Sequence, residues 1–444
     1  MAGVGDNGAE ETSGELPWAL IGAGPSGLGA ARNLARRGIP FVGFEAHSDV
    51  GGLWDIEGSR STMYETAHLI SSRTTTAYDE FPMREGTPDY PSHWQMREYF
   101  RDYADTFDLR RHFRFSNPVT RVEPDGDEWL VTAEGPGGRA ETTRHAGVII
   151  ANGLFSTPSI PEFEGEFTGE FLHTSEYRRP ELFRGKRVLV IGAGNSGCDI
   201  AVDAVGQARS VDMSLRSGYW FFPKYILGRP SDTLNEGPAL PPPVKQRIDS
   251  RVIRLITGDP ARLGFPVPEG KIYETHPVMN TLVLYHAGHG DIRVRPDVGR
   301  FEGSEVVFAD GSRAEYDMVM LATGYRLDYP FIDREHLSWN GTPGPDLYLN
   351  IFTPRHRNLF VLGMIEATGL GWQGRYDQSE LVAEFIRAGR EAPRLADQRW
   401  DRINGPSPDL FGGYNSLQLD RIPFSVNTDA YRREIRRHLA ALDG

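Results

Sequence analysis

One cysteine, Cys198, is the whole thiol content of 444 residues. A lone thiol closes no internal disulfide, builds no redox CxxC pair and assembles no thiolate metal site, so a reducing cytoplasm is the expected compartment. Positive charge is also scarce: 48 Lys+Arg stand against 61 Asp+Glu, a formal net charge of −13. That balance argues against nucleic acid as a partner. No run approaches the ~18 consecutive apolar residues of a membrane span, and the acidic opening MAGVGDNGAEETSGELP lacks the apolar stretch of a secretion signal. Neither membrane insertion nor secretion is expected. With 39% hydrophobic and 25% charged residues, the composition excludes a disordered chain or a coiled coil, and the length suggests two domains with a sizeable core.

Glycine is abundant instead, at 50 residues, about 11% against a usual ~7%. Residues 1–16 are polar and aperiodic, which predicts a disordered tail. Order is expected from Pro17. A short apolar run at 18–21 leads into Gly22-Ala-Gly24-Pro25-Ser26-Gly27, then a segment with apolar residues at helical spacing, then a run ending at Glu45. That is strand, glycine turn, helix, strand. Met96, Tyr99, Phe100, Tyr103 and Phe107 recur at the spacing of an amphipathic helix between 91 and 109, more simply a core face than a cofactor box. Extended runs on either side of Pro124-Asp125-Gly126-Asp127 predict a hairpin, and residues 147–153 a buried strand ending in glycine. Prolines 158 and 161 mark a boundary. Beyond it the pattern restarts at 186–205, with Gly192, Gly194 and Gly197, followed by a strand at 210–216. A helix is expected around 244–256, further strands near 292, 305 and 318, a strand at 358–364, and helices at 376–390 and in the basic tail YRREIRRHLAAL. The tail helix reads as structural, with a solvated charged face.

A GxGxxG alone is a weak signal; between a strand and a helix it gains physical meaning. Gly22 permits the tight turn, Gly24 lets the backbone approach a pyrophosphate, and Gly27 permits close packing. Pro25 and Ser26 lie at the helix start, where free amides and the dipole favour anions. Glu45 follows Gly24 by 21 residues, the interval of a carboxylate that accepts ribose hydroxyls. The competing reading makes it a surface residue at a strand end. In the second unit Asn195 and Ser196 sit within the turn, and the same interval from Gly194 falls one residue before Arg216. A guanidinium pairs with a ribose 2′-phosphate where a carboxylate repels it, so this unit should prefer NADPH; the alternative is an ordinary solvated arginine. Two ribose readers of opposite sign imply FAD in the first unit and NADPH in the second. Gly51, Gly52, Leu53 and Trp54 supply another glycine turn for the flavin side.

At this point the segment FTGEFLHTSEY, residues 167–177, is informative. Through Phe167, Gly169, His173 and Tyr177 it resembles the FxGxxxHxxxY fingerprint of flavin-containing monooxygenases. GAGPSG, EAHSDVGGLWD, REYFRDYADTFDL, GAGNSG and ATGY at 322–325 are similar to that family too. The resemblance implies two Rossmann-like α/β domains: FAD in 17–158 and 328–444, and NADPH in 159–327, inserted between them. It adds Val119 to the FAD contacts and His173, Thr323 and Gly324 to those of the nucleotides. The implied chemistry is reduction of FAD by NADPH, addition of O2 as a flavin C4a-hydroperoxide, and oxygenation of an amine nitrogen or sulfide sulfur of a small molecule. A homodimer is allowed. Baeyer–Villiger relatives usually end the fingerprint with tryptophan, where Tyr177-Arg178 stands here, so ketone oxygenation is the alternative, with uncoupled NADPH oxidation or reduction behind it. Counting from Tyr64 to Phe81-Pro82 sets Ile70 at the family's flavin-side asparagine, followed by Ser71 and Ser72. The polar group expected near the flavin is absent unless a serine replaces it. His286 and His289, three apart without a nearby Cys or Glu ligand, read as a turn rather than a metal site.

Overall fold

The computed structural model describes residues 15–234, 240–275, 277–367, 369–414 and 424–442. All of the expected tail but Glu15 and Leu16 lies outside them. Buried apolar runs build two parallel sheets. In the first, Trp18–Ile21 lies between Phe41–Phe44 and Val148–Ile150, with Phe113–Arg114 and Leu359–Val361 at the edges. All four residues of Trp18–Ile21 are buried, as for a strand covered on both faces. Side-chain alternation assigns those faces. Trp18 and Leu20 join a core containing Leu28, Leu34, Met96, Phe100, Leu381 and Phe385, from the helices Pro25–Arg36, His93–Thr106 and Gln373–Glu391. Ala19 and Ile21 meet Val122, Trp129 and Val131 of a three-stranded antiparallel sheet, Val119–Asp125, Glu128–Glu134 and Ala140–His145.

The second sheet repeats the plan. Its order is Glu170–His173, Met318–Leu321, Arg187–Ile191, Ser210–Ser214, Ile292–Arg295, again all parallel. Val188, Val190, Met318 and Met320 pack with Cys198, Ile200 and Val283 of the helices Asn195–Val205 and Leu282–His289. Leu189, Ile191, Val319 and Leu321 pack on Phe301, Val306 and Phe308 of a second small sheet. The result is a mixed α/β chain. The second sheet draws every strand from 170–321, whereas the first takes strands from both sides of that stretch. The two passages between the sheets run together as an antiparallel ribbon, Tyr325 opposite Pro158 and Arg326 opposite Thr157. Across it Asn152 Nδ2 donates to the Asp328 carbonyl at 3.2 Å. Among the described residues no helix is long and apolar enough to cross a membrane.

The amphipathic helix expected at 91–109 is His93–Thr106, started by a capping box in which the Ser92 amide donates to Gln95 Oε1 at 2.9 Å. The one expected around 244–256 runs Pro242–Thr257. The sequence reading of His286 and His289 as a turn is corrected: both belong to the last turn of Leu282–His289. Asn280 Oδ1 accepts the Leu282 and Val283 amides at 2.9 and 3.2 Å, and Gly290, at φ 82°, ends the helix one residue beyond His289. Terminal signals at both ends outweigh the local turn character of His-Ala-Gly-His.

In each sheet a strand ends in a glycine turn that presses a helix start against the strand end. A methyl on Gly27 would lie 1.8 Å from the Gly22 carbonyl oxygen, and one on Gly197 2.4 Å from that of Gly192. Backbone cannot rotate away as a side chain can. Gly27→Ala should therefore lower the unfolding free energy by about 3 kcal/mol, the upper end of overpacking costs. Gly206→Ala, at φ −76° with nothing within 4 Å, should stay within ~0.5 kcal/mol. Urea midpoints of the two variants check this.

Candidate cofactor and substrate site

The two glycine turns have nearly the same geometry, with Gly22 at φ 106° and Gly192 at φ 107°. Only glycine adopts such angles without strain. Gly24 and Gly194 are the N-caps, and neither helix has a side-chain cap. The first-turn amides therefore remain available to an anion. Around Gly194 an added methyl would meet nothing within 4 Å, and that open cradle suits a phosphate. At the first turn Gly52 fills part of the floor: a methyl there would come 3.0 Å from Gly24 Cα. Gly51 donates its amide to the Ala23 carbonyl at 3.0 Å, so the two glycine loops are tied together. Leu53 and Trp54 follow, half-buried, and Trp54 meets Trp372 edge-on at 6.0 Å.

Glu45 is buried rather than a surface residue at a strand end. Its Oε2 accepts the Ala23 amide at 2.6 Å and its Oε1 the His47 amide at 2.7 Å. Each oxygen has a second lone pair, so the anchored carboxylate can still accept ribose hydroxyls. The Asn117 amide donates to the Glu45 carbonyl at 2.8 Å, which brings Val119 beside this end of the site. In the second unit Arg216 is exposed just past Ser210–Ser214 and forms no ion pair among the described residues. Its neighbour Arg295 is committed, donating to Asp212 Oδ2 at 2.6 Å. Asn195 is partly committed as well, because its Oδ1 accepts the Met279 amide at 2.7 Å. Ser196 stays half-buried in the helix start.

His173 is buried, and both ring nitrogens are engaged within the protein. Nδ1 accepts the Ser175 amide at 3.1 Å, so Nε2 carries the proton and donates to the Gly324 carbonyl at 3.0 Å. Burial holds its pKa below the ordinary value. The Gly324 carbonyl also accepts the Ser159 amide at 2.9 Å, and Thr323 Oγ1 donates to the Ser159 carbonyl at 2.6 Å. The fingerprint histidine thus fastens the passage between the two sheets and has no ring nitrogen left for a ligand.

Ile70 and Ser71 are half-buried and Ser72 is buried. Ser71 Oγ lies 2.7 Å from Thr76 Oγ1, which also donates to the Ser72 carbonyl at 2.7 Å. The segment is held by Asp199, Asp203, Lys224 and Asp232, which the sequence reading did not single out. Tyr64 donates to Asp199 Oδ2 at 3.0 Å, Thr66 to Asp203, and Tyr177 to Asp203 Oδ2 at 2.8 Å. Asp232 Oδ2 accepts the Ser72 amide and the Thr75 hydroxyl, both at 2.6 Å. Lys224 Nζ donates to the Leu69 carbonyl at 3.1 Å. Burial raises the pKa values of Asp199 and Asp203 and lowers that of Lys224; the nearby Asp199 carboxylate opposes the Lys224 shift. The spacing of Asp199 and Asp203, one helical turn apart behind the second glycine turn, was the available signal.

Comparison with known proteins agrees with this geometry. The flavin-binding monooxygenase-like family model matches residues 17–397. Flavin-containing monooxygenase 5 of Homo sapiens is 30% identical over 424 residues, covering 84% of this chain and 77% of the relative. Flavin-containing monooxygenase 3 of Oryctolagus cuniculus is 28% identical, covering 91% and 81%. Among solved structures, S-allyl-L-cysteine S-oxygenase from Allium sativum superposes with a TM-score of 0.62 at 20% identity, covering 97% of this chain and 95% of that one. A cyclohexanone monooxygenase variant from Rhodococcus sp. Phi1 gives 0.70 at 21%, covering 96% and 97%. The chain belongs to the flavin-binding monooxygenase family. It is a flavin-dependent monooxygenase with FAD and NADPH as cofactors.

A neutral buried histidine makes stability depend on pH with a definite sign. The folded pKa of His173 is depressed, so the unfolded chain takes up the proton first as pH falls below ~6.5. The stabilisation by His173 is complete above that pH and declines toward its folded pKa. His173→Gln should therefore differ most from wild type in unfolding free energy at pH 7.5 and least at pH 5, measured by urea titration at both.

Proposed function

We propose that the enzyme oxygenates a soft nucleophile, an amine nitrogen or a sulfide sulfur, in a small molecule. We further propose two Rossmann-like domains, with FAD held by 17–158 and 328–444 and NADPH by 159–327. Glu45 and the turn at Gly22, Gly24 and Gly27, with Gly52, Leu53, Trp54 and Val119, would hold FAD. Gly192, Gly194, Gly197, Asn195, Ser196 and Arg216 would hold NADPH, with Thr323 and Gly324 at the passage between them. Bound FAD supplies the redox chemistry, passing electrons from NADPH to O2 and one oxygen atom to the substrate. The single buried cysteine accords with a cytoplasmic location.

The carrying observation is the character of the segment around Ile70. At Ile70 and Ser71 it offers an aliphatic side chain and a hydroxyl, neither of them an acid or a base. A substrate that is itself nucleophilic needs none; the protein then contributes orientation and dryness. The test is NADPH and O2 consumption with a thioether, a tertiary amine and a cyclic ketone side by side. Sulfoxide or N-oxide formation supports the proposal. Lactone formation, or NADPH oxidation that yields peroxide alone, replaces it with the corresponding alternative.

Two variants sharpen this reading. Arg216→Ala removes a charge-assisted pair with the 2′-phosphate and should cost about 1.5–3 kcal/mol of NADPH affinity while leaving NADH nearly unchanged. Competitive binding of NADP+ and NAD+ measures it. Ile70→Asn adds the missing hydrogen-bond partner, worth about 1 kcal/mol. It should reduce the peroxide released per NADPH several-fold in a catalase-free assay without substrate. If Ser71 already fills that role, Ile70→Asn leaves the yield unchanged and Ser71→Ala raises it.

A further inference from the structure

The order of the first sheet sets the direction in which a dinucleotide crosses it. Phe41–Phe44, which leads to Glu45, lies on one side of Trp18–Ile21; Val148–Ile150 and Leu359–Val361 lie on the other. With adenosine at Glu45 and pyrophosphate at Gly24, the flavin end extends over the latter two strands. The chain leaving Leu359–Val361 packs directly on the phosphate turn: a methyl on Gly363 would come 2.5 Å from Ser26 Oγ. It also packs on the segment that follows Ile70, since a methyl on Gly371 would come 2.4 Å from the Thr75 carbonyl oxygen. Arg375 stands between these contacts, in the first turn of Gln373–Glu391.

Its guanidinium Nη1 donates to the Gly371 carbonyl at 2.9 Å and Nη2 to the Ile365 carbonyl at 3.1 Å. Among the described residues it has no ion-pair partner. Its charged and phenolic surroundings are Glu366, Tyr78 and Tyr431, and Tyr78 in turn donates to the Pro25 carbonyl at 2.5 Å, at the start of the phosphate-turn helix. The four acids of the same helix are engaged elsewhere: Glu380 and Glu384 pair with Arg37 at 3.1 and 2.6 Å, Glu391 pairs with Arg387 at 2.8 Å, and Asp377 Oδ1 accepts from Gln373 Nε2 at 2.6 Å. Arg375 lies deep in the molecule, and burial lowers its pKa. Yet it keeps part of its surface accessible, so open space adjoins it. An unpaired interior cation is costly, and this one also stands against the positive end of its own helix dipole. Both costs are relieved by an anion in that space.

We propose that Arg375 is the counter-charge for the flavin ring of bound FAD. This rests on FAD occupying the first glycine turn. When NADPH gives up a hydride and becomes NADP+, the ring gains two electrons and one proton at N5, and a negative charge remains over N1 and C2=O. Arg375 stabilises that charge and favours reduction.

The test is reduction of the purified holoenzyme in equilibrium with a redox dye, for wild type, Arg375→Gln and Arg375→Lys. At a fixed dye ratio the reduced-to-oxidised flavin ratio should fall at least tenfold in Arg375→Gln, about 30 mV for a two-electron couple. Arg375→Lys, which keeps the charge, should recover most of it. An unchanged ratio in Arg375→Gln with FAD retained overturns the proposal and leaves the cofactor assignment standing. A wild type that purifies without flavin overturns the assignment itself. If Arg375→Gln does not fold, the wild type decides through nitrogen NMR of enzyme carrying isotope-labelled, reduced FAD. At a pH where N1 of free reduced FAD is protonated, an ionised N1 supports the proposal and a protonated N1 overturns it.

Discussion

The contact on which the cofactor site depends is that between a glycine α-carbon at the start of a helix and the carbonyl oxygen of the glycine that ends the preceding strand. It occurs twice, at Gly27 over Gly22 and at Gly197 over Gly192. The N-cap positions beside this contact, Gly24 and Gly194, carry no side chain, so the first amides of each helix stay uncapped. The same glycine turns that join helix to sheet therefore leave room for an anion. Glu45 extends this arrangement, because the Ala23 amide it accepts lies inside the first turn.

Local features were legible in the sequence. Glycine spacing, strand runs and the intervals to Glu45 and Arg216 are properties of short stretches, and the elements expected from periodicity are found, whereas the helices Leu282–His289 and Pro393–Ile403 were not anticipated. Ser92 and Gln95 even mark the start of His93–Thr106. The ties that hold the segment around Ile70 were not legible. Tyr64 and Asp199 lie 135 residues apart, and Ser72 and Asp232 lie 160 apart. No spacing rule links residues that meet only after both sheets have formed. His173 was visible as a motif, but that its two nitrogens are consumed by Ser175 and Gly324 follows from the fold alone. Arg375 was hidden for another reason: near Glu380 and Glu384 it reads as one more exposed helix charge, until those acids are found paired with Arg36 and Arg37.

The site joins parts of unequal polarity. Half-buried carboxylates and a half-buried lysine fasten the segment before and after Ile70, while Ile70 itself offers only carbon. Polar groups are thus spent on holding the backbone rather than presented to a reactant. That division fits chemistry in which the cofactor is the reagent and the protein supplies the shape of the container.

The ribbon between the sheets has a topological consequence. Pro158 and Tyr325 face one another, so the whole stretch that builds the second sheet leaves and re-enters the first at a single point. Such a stretch can be gained or lost as one piece of DNA without displacing either neighbour in the host, the geometry under which domain insertion is tolerated. A second sheet with its own glycine turn could therefore enter an existing host fold in one recombination event, with its ends already side by side.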